Sequence, residues 1–199
     1  MFGQRARRAF NIAQEDPRLR DQYGRTHFGQ NLLLARRLVE AGVTLVTVRA
    51  LYWDRFPKAA GGKPLSWDFH ADLEKRMKIM APGYDRGMAA LVSDLHARGL
   101  DRDVLVVAMG DPRVNADAGR DHWGALMSVL FAGGGLQGGQ IVGTSNKNGE
   151  MPVEGASRPE NVLATIYHHL GIDPAVTFPD FRGRPRYVLE RSKPVAGLV

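Results

Sequence analysis

The same order of sequence patterns occurs at two places in the chain: an amphipathic helix, a glycine, and a run of β-branched and apolar residues. The first helical pattern covers residues 28–41 and is followed by Gly42 and the apolar run 43–48. The second covers residues 71–98 and is followed by Gly99 and the apolar run 104–109. Continuous apolar runs of this kind are typical of strands that a parallel sheet buries on both faces. The order therefore predicts an α/β layer protein with a mostly parallel sheet.

Further patterns extend this prediction along the chain. A third strand is predicted over residues 126–132 and a short fourth strand over 140–144. Pro82 interrupts the second helical pattern, which predicts either a kink or a fresh helix with the proline in its first turn. Ser157 and Glu160 have the spacing of a capping box, so another helix is expected to begin there.

The composition agrees with one soluble domain and limits its chemistry. We expect a single domain over residues 1–199, with an N-terminal helical arm at 1–27 and a tail at 173–199 that wraps the surface. The sequence has no cysteine, which excludes disulfides, thiolate nucleophiles and iron–sulfur clusters. A metal site would therefore use His, Asp, Glu, Asn or backbone oxygen. No apolar run approaches the ~20 residues that a membrane span needs.

The charge of the chain is concentrated near its beginning. The net charge is +6, and residues 1–40 contain eight arginines and four acids. One interpretation is a basic, solvated helical surface, and the other is contact with an anion, a nucleic acid or an acidic partner. The first interpretation is favoured because acidic residues lie among the basic ones, whereas aromatic residues do not. No nucleic-acid partner is therefore expected. The early arginines precede no apolar segment of the kind found in a signal peptide.

Polar residues that can bind a metal fall at the predicted strand ends, where ligands bind in open α/β sheets. Asp68 and His70 are two residues apart, so an extended backbone would direct both side chains to one side, where they could share a divalent cation. Asp121 and His122 offer a second oxygen-and-nitrogen pair, and Asp111 follows the run 104–109. These donors suit zinc, manganese or magnesium. The alternative is that Asp68 caps the following helix and His70 lies on the surface of its first turn.

Several longer motifs resemble a known bacterial family. The chain is similar, over about residues 10–185, to the family of unknown function numbered 1501, which belongs to the alkaline phosphatase and sulfatase-like superfamily. The similarity rests on motifs that occur in the same order and at the same spacing: FGQNLLLARRLVEAGVTLVTV, WDFH, LVSDLHARGLDRDVLVVAMG, NADAGRDHW, AGGGLQGGQIVGTSN and RPENVLATIYHHLGID.

The resemblance implies a fold and a metal centre. Its superfamily has a doubly wound α/β core and hydrolyses or transfers phosphate and sulfate esters, using two metal ions and a Ser, Thr or modified Cys nucleophile. It implies that Asp68 and His70, within the WDFH motif, bind one metal and that His122, within the GRDHW motif, binds the same metal. The acidic ligand of the second metal would correspond to Asp111. Here the loop reads Gly110-Asp111-Pro112 and is about four residues shorter than in the family.

Two functions remain open. Family members are about twice as long, and the superfamily's nucleophile lies in their N-terminal half, so the chain resembles a C-terminal portion with a partial alkaline phosphatase-like core. It would be part of, or a degenerate relative of, a metal-dependent phosphate- or sulfate-ester hydrolase, inactive by itself. The alternative is a non-catalytic binding or structural module. A sheet lacking strands would expose an edge and favour self-association, and the resemblance suggests export from the cytoplasm.

Overall fold

The structure is a computed structural model that describes residues 3–50, 67, 72–110, 123–190 and 193–199. The chain divides into two compact units, which we name after their main elements. In its described part, the helical unit comprises residues 3–50, 67 and 72–100. The hairpin unit comprises residues 101–110, 123–190 and 193–199. The single domain expected over 1–199 stays a prediction.

The helical unit contains four α-helices and a short 3-10 helix in its described part: α1 (Gln4–Ala9), the 3-10 helix (Ile12–Gln14), α2 (Pro17–Tyr23), α3 (His27–Glu40) and α4 (Leu73–Ala97). Side-chain caps define two of the starts. Asp16 accepts a hydrogen bond from the backbone N–H of Arg18 at 2.7 Å, ahead of α2. Thr26 accepts one from the N–H of Gly29 at 3.1 Å, ahead of α3. Both caps satisfy N–H groups that have no partner within the helix.

The end of α3 confirms the predicted helix and its glycine stop. Gly42 has a φ of 91°, a left-handed conformation that costs glycine least. Its N–H donates to the carbonyl of Val39 at 2.9 Å, and the N–H of Val43 donates to that of Leu38 at 3.0 Å. These two bonds form a Schellman motif.

The strand predicted over residues 43–48 is wrong. The chain from Val43 to Ala50 has no strand conformation, and Leu45 is 73% exposed. An extended segment becomes a strand only when a neighbour satisfies its backbone groups. None of the described strands pairs with this segment, so its β-branched composition has no sheet to join.

Helix α4 is one continuous helix of 25 residues with Pro82 inside it, so the alternative of a fresh helix at Pro82 is wrong. The predicted apolar face is buried at Met80, Leu91 and Leu95 and is exposed in the first turns at Leu73 and Met77.

Helices α2, α3 and α4 pack closely because glycine replaces a side chain at two contacts. A Cβ on Gly29 would lie 2.0 Å from the carbonyl oxygen of Tyr23. A Cβ on Gly87 would lie 3.1 Å from a methyl carbon of Leu32. The core of the unit surrounds these contacts and includes Leu33, which is fully buried.

The hairpin unit contains six described strands, which form three two-stranded antiparallel sheets: β1 (Leu105–Met109) with β2 (Val129–Gly133), β3 (Thr144–Ser145) with β4 (Pro152–Glu154), and β5 (Thr177–Pro179) with β6 (Pro185–Tyr187). In the first sheet Leu105 lies opposite Gly133 and Met109 lies opposite Val129. The third predicted strand is thus present but shorter, whereas the fourth is wrong over residues 140–143, since β3 begins only at Thr144. The pairing differs from the parallel arrangement expected for residues 104–109, and the larger doubly wound sheet stays a prediction.

Helix α5 (Pro159–His169) begins differently from the prediction. Ser157 and Glu160 do not form the expected capping box, because Arg158 occupies the N-cap position. Asn161 instead accepts the N–H of Arg158 through its side-chain oxygen at 2.7 Å.

The end of the chain returns to α5. The side-chain N–H of Asn161 donates to the carbonyl of Lys193 at 2.8 Å. The backbone N–H of Val195 donates to the hydroxyl of buried Thr165 at 3.0 Å. The last residues therefore pack on this helix, after residues 177–187 have formed the hairpin of β5 and β6.

Candidate functional site

The four predicted metal ligands, Asp68, His70, His122 and Asp111, lie outside the described residues. Their described neighbours in sequence are Trp67, Asp72, Trp123 and Gly110. The contacts of these four neighbours are described in turn.

Trp67, the residue before Asp68, is anchored in the helical unit by aromatic packing. Its ring meets the ring of Tyr84 edge-on, with centroids 5.5 Å apart and an interplanar angle of 79°. Tyr84 in turn stacks on Phe28, with centroids 5.3 Å apart and 12° between planes. Aromatic pairs in these geometries contribute about 0.5–1.5 kcal/mol beyond the area they bury. Burial also raises the pKa of Tyr84, so its hydroxyl stays protonated at neutral pH.

Asp72, two residues after His70, adopts a strained backbone conformation. Its φ of 55° is the one positive value among the non-glycine residues that the structure describes. It occupies the N-cap position of α4. Asp68 and His70 lie outside the described residues, so both interpretations of this pair stay predictions. Left-handed non-glycine residues cost about 1–3 kcal/mol and cluster at functional sites.

Trp123, the residue after His122, is anchored in the hairpin unit by hydrogen bonds. Its indole N–H donates to the carbonyl of Glu150 at 2.6 Å. The side chain of Asn146 fixes that residue, because its oxygen accepts the N–H of Glu150 at 2.7 Å. The Asn146 amide also donates to the Glu150 carboxylate at 3.1 Å. The loop between β3 and β4 therefore holds the Trp123 side chain in place.

Gly110 follows Met109 at the carboxyl end of β1, so the described part of this segment ends directly before Asp111.

The helical unit also contains a buried cluster of charged side chains. Arg36 is 2% exposed, and its guanidinium lies near three carboxylates. The distances are 3.2 Å to Glu15, 2.6 Å to Glu40 and 2.9 Å to Asp94. A buried charge is tolerated only when it is paired in this way.

Two further arginines complete this ion cluster. Arg37 pairs with Glu15, and Arg98 lies 2.7 Å from Asp94 and 3.0 Å from Glu40. Three guanidinium groups therefore balance three carboxylates. Each carboxylate already has a cationic partner, so none is available as a general base or a metal ligand. The cluster is structural.

The pKa values within the ion cluster follow from burial and charge. Burial alone would raise the pKa of Glu15, but hydrogen bonds and charges from Arg36 and Arg37 lower it below its usual value. Burial, together with the charge and hydrogen bond of Asp94, raises the pKa of Tyr23. The Tyr23 hydroxyl donates to Asp94 at 2.9 Å, which requires the protonated phenol.

Sequence reasoning missed the ion cluster, although a signal was present. Arg36 and Glu40 are four residues apart, as are Asp94 and Arg98, which is the spacing of facing side chains on a helix. The cluster also explains part of the basic N-terminal region, since two of its eight arginines are paired internally. Arg25 also pairs with Asp21, at 2.5 Å.

The described ranges contain no group of three His, Asp or Glu residues placed to hold a metal ion. Within the same ranges, no helix has the length and apolar character that crossing a bilayer requires.

The helices and antiparallel hairpins define a mixed α and β protein. The chain belongs to the family of proteins of unknown function designated DUF1501, whose model matches residues 2–199. No curated protein and no solved structure matches the chain significantly. The family membership predicted from the sequence motifs is confirmed.

Proposed function

We propose that the chain is a portion, or a degenerate relative, of a metal-dependent hydrolase that acts on phosphate or sulfate esters. The ligands would be Asp68, His70 and His122 for one divalent cation, with Asp111 as an additional acidic ligand. The doubly wound, mostly parallel sheet of the alkaline phosphatase-like fold is part of this proposal.

One observation carries the proposal: a packed tryptophan adjoins each of the two ligand-bearing motifs. Trp67 is held by the aromatic rings of α3 and α4, and Trp123 is held by the loop between β3 and β4. Ligands bind metals tightly when surrounding groups fix their orientation. Anchored neighbours of Asp68 and His122 would help to orient these ligands.

The donor set fits a divalent zinc or manganese ion. Two imidazole nitrogens and carboxylate oxygens are ligands that both metals accept. When bound, the metal would polarise ester oxygens and stabilise negative charge on them. The chain's own residues would hold the metal and orient the ester. The sequence shows no serine in a convincing nucleophile motif, so hydrolysis by this chain alone is expected to be weak.

The second candidate is a non-catalytic binding or structural module. The sequence Gly110-Asp111-Pro112 favours it, because the resemblance implies a shorter loop than in the family and a proline there would restrict the backbone. Such a module would keep the fold and bind a phosphate or sulfate ester without cleaving it.

Elemental analysis of the purified chain tests the metal ligands. We expect wild type to retain zinc or manganese at less than one ion per chain, and His122→Ala to retain less. His168→Ala is the matched control, because His168 is an exposed histidine at the end of α5. Equal metal content in wild type and His122→Ala would show that the ligand set is wrong.

An assay with p-nitrophenyl phosphate and p-nitrophenyl sulfate separates the two candidates. Metal-dependent turnover that His122→Ala abolishes supports the hydrolase. Saturable binding of either ester without turnover supports the module. No binding of either ester would contradict both.

Self-association through a sheet edge is a further proposal. Within the described residues, β1 and β2 pair only with each other, and unpaired strand edges favour pairing with another chain. We expect sedimentation velocity to show dimers or larger species at micromolar concentration. A monomer over the whole concentration range would contradict this.

A further inference from the structure

The hairpin of β5 and β6 presents an aromatic side chain at its tip. Phe181 lies in the turn between the two strands and is 91% exposed. Behind it, Phe178 and Arg186 lie directly opposite each other on one face of the hairpin, and Phe178 is also exposed. Exposed apolar side chains grouped with charged ones mark interaction surfaces.

The turn is rigid because Asp180 organises it. The side-chain oxygen of Asp180 accepts the backbone N–H groups of Arg182 at 2.9 Å and Arg184 at 3.0 Å. Its backbone donates to the carbonyl of Arg184 and accepts from the N–H of Gly183, both at 2.8 Å. A preformed turn loses little conformational freedom when it binds a partner.

The tip carries more positive than negative charge. Arg184 and Arg186 lie 2.8 Å and 3.6 Å from the Asp180 carboxylate and compensate its charge. The guanidinium of Arg182 lies over the Phe181 ring, 5.4 Å from its centroid, and stays at the surface. The tip therefore has three cations and one carboxylate. This charge is complementary to an anionic partner, and the exposed Phe181 ring suits one with an apolar interior.

We propose that this tip docks on an anionic lipid bilayer, with Phe181 inserted among the acyl chains and the arginines against the headgroups. An aromatic residue beside cationic residues at a surface is the combination by which peripheral proteins bind anionic membranes. A single-stranded nucleic acid would need a groove and several stacking rings, whereas Phe181 is the one aromatic residue in the turn between β5 and β6. The inference is independent of the proposed metal site.

Vesicle co-sedimentation tests the proposal, using phosphatidylcholine vesicles with and without phosphatidylserine. We expect wild type to bind only the vesicles that contain phosphatidylserine. Phe181→Ala should weaken that binding about tenfold, since it removes a buried aromatic group. Arg182→Gln should weaken it about fivefold, since one cation near the surface is lost. Ile141→Ala is the matched control, because Ile141 is 95% exposed on another loop and should bind like wild type.

Three results would overturn the proposal. Failure of wild type to bind phosphatidylserine vesicles would exclude the lipid partner. Equal binding by Phe181→Ala and wild type would reduce the interaction to the general positive charge of the chain. Loss of a dimer in Phe181→Ala, without vesicle binding by wild type, would assign the tip to a second copy. Circular dichroism of both variants checks that the exposed substitutions leave the fold intact.

Discussion

The two units bury their apolar residues to different extents. Nine of the twelve buried hydrophobic residues in the described part of the chain lie in the helical unit. Of the nineteen large hydrophobic residues exposed there, fourteen lie in the hairpin unit. The helical unit therefore forms its own core, whereas the hairpin unit leaves much of its apolar surface uncovered.

The difference in burial follows from the secondary-structure elements that each unit contains. Helices α2, α3 and α4 can each turn an apolar face toward a common centre, and Gly29 and Gly87 let them approach closely. A two-stranded sheet does not form a core in this way, because a hairpin alone covers neither of its faces. The comparison implies that the hairpin unit depends more on further contacts for its stability.

Replacing Arg36 is expected to produce the largest loss of stability. Arg36→Met leaves Glu15 and Asp94 buried without their shared cation, which should cost about 3–5 kcal/mol of unfolding free energy. Urea denaturation followed by far-ultraviolet circular dichroism measures this. Arg18→Met, in which an exposed arginine is replaced, should change the free energy by less than about 0.5 kcal/mol. Similar losses in both variants would contradict a structural role for the ion cluster.

A matched pair of leucines tests the comparison of the units directly. Leu33→Ala removes a fully buried side chain from the helical unit and should cost about 2–5 kcal/mol. Leu130→Ala removes a side chain that is 50% exposed in the hairpin unit, so about 1 kcal/mol or less is expected. Thermal and urea unfolding of the two variants provide the values. If Leu130→Ala were the more destabilising, the hairpin unit would have a core that the described residues do not reveal.

The close contact between α2 and α3 predicts an intermediate effect. A methyl group on Gly29 would overlap the Tyr23 carbonyl, so Gly29→Ala should cost about 1–3 kcal/mol through forced separation of the helices. Gly3→Ala is the control, because nothing lies within 4 Å of a Cβ there. A melting temperature for Gly29→Ala equal to that of Gly3→Ala would argue against this packing.

The smallest expected effect is on pH dependence. The pKa of Glu15 is lowered in the folded chain, so the unfolded chain binds more protons below the ordinary value of 4.5. Folding stability from Glu15 is therefore present above that pH and is lost as the pH falls further. Glu15→Gln should reduce the slope of unfolding free energy between about pH 5 and about pH 3. An unchanged slope would show that another carboxylate is responsible.

The sequence predicted local structure better than pairing. The predicted helix over residues 28–41 and the strand over 104–109 are confirmed within one residue, because periodicity and glycine stops act locally. The strand over 43–48 failed because strand formation depends on a distant partner. The ion cluster was missed for the same reason, since Glu15 and Asp94 meet Arg36 only after three separate elements pack.

The candidate site also has features that the sequence predicts and features that it does not. Family membership could be inferred from the sequence, and Asp68, His70, His122 and Asp111 stay predicted ligands, whereas the contacts of the neighbouring tryptophans could not be inferred. No local pattern indicates that Trp123 bonds to Glu150 across 27 residues. Nor does a local pattern indicate that Asp72 takes a left-handed conformation just before α4. Asp68 and Asp72 are the same residue type, so N-cap preference does not distinguish between them.

Pro82 interrupts the hydrogen-bond ladder of α4, since its ring nitrogen has no hydrogen for the carbonyl of Lys78 one turn earlier. The helix before it begins at partly exposed Leu73, and the helix after it is buried at Leu91 and Leu95. The opening turns can therefore fray at low free energy while the remainder stays folded. The missing hydrogen bond therefore marks the point in α4 where the more easily opened first turns meet the more stable remainder.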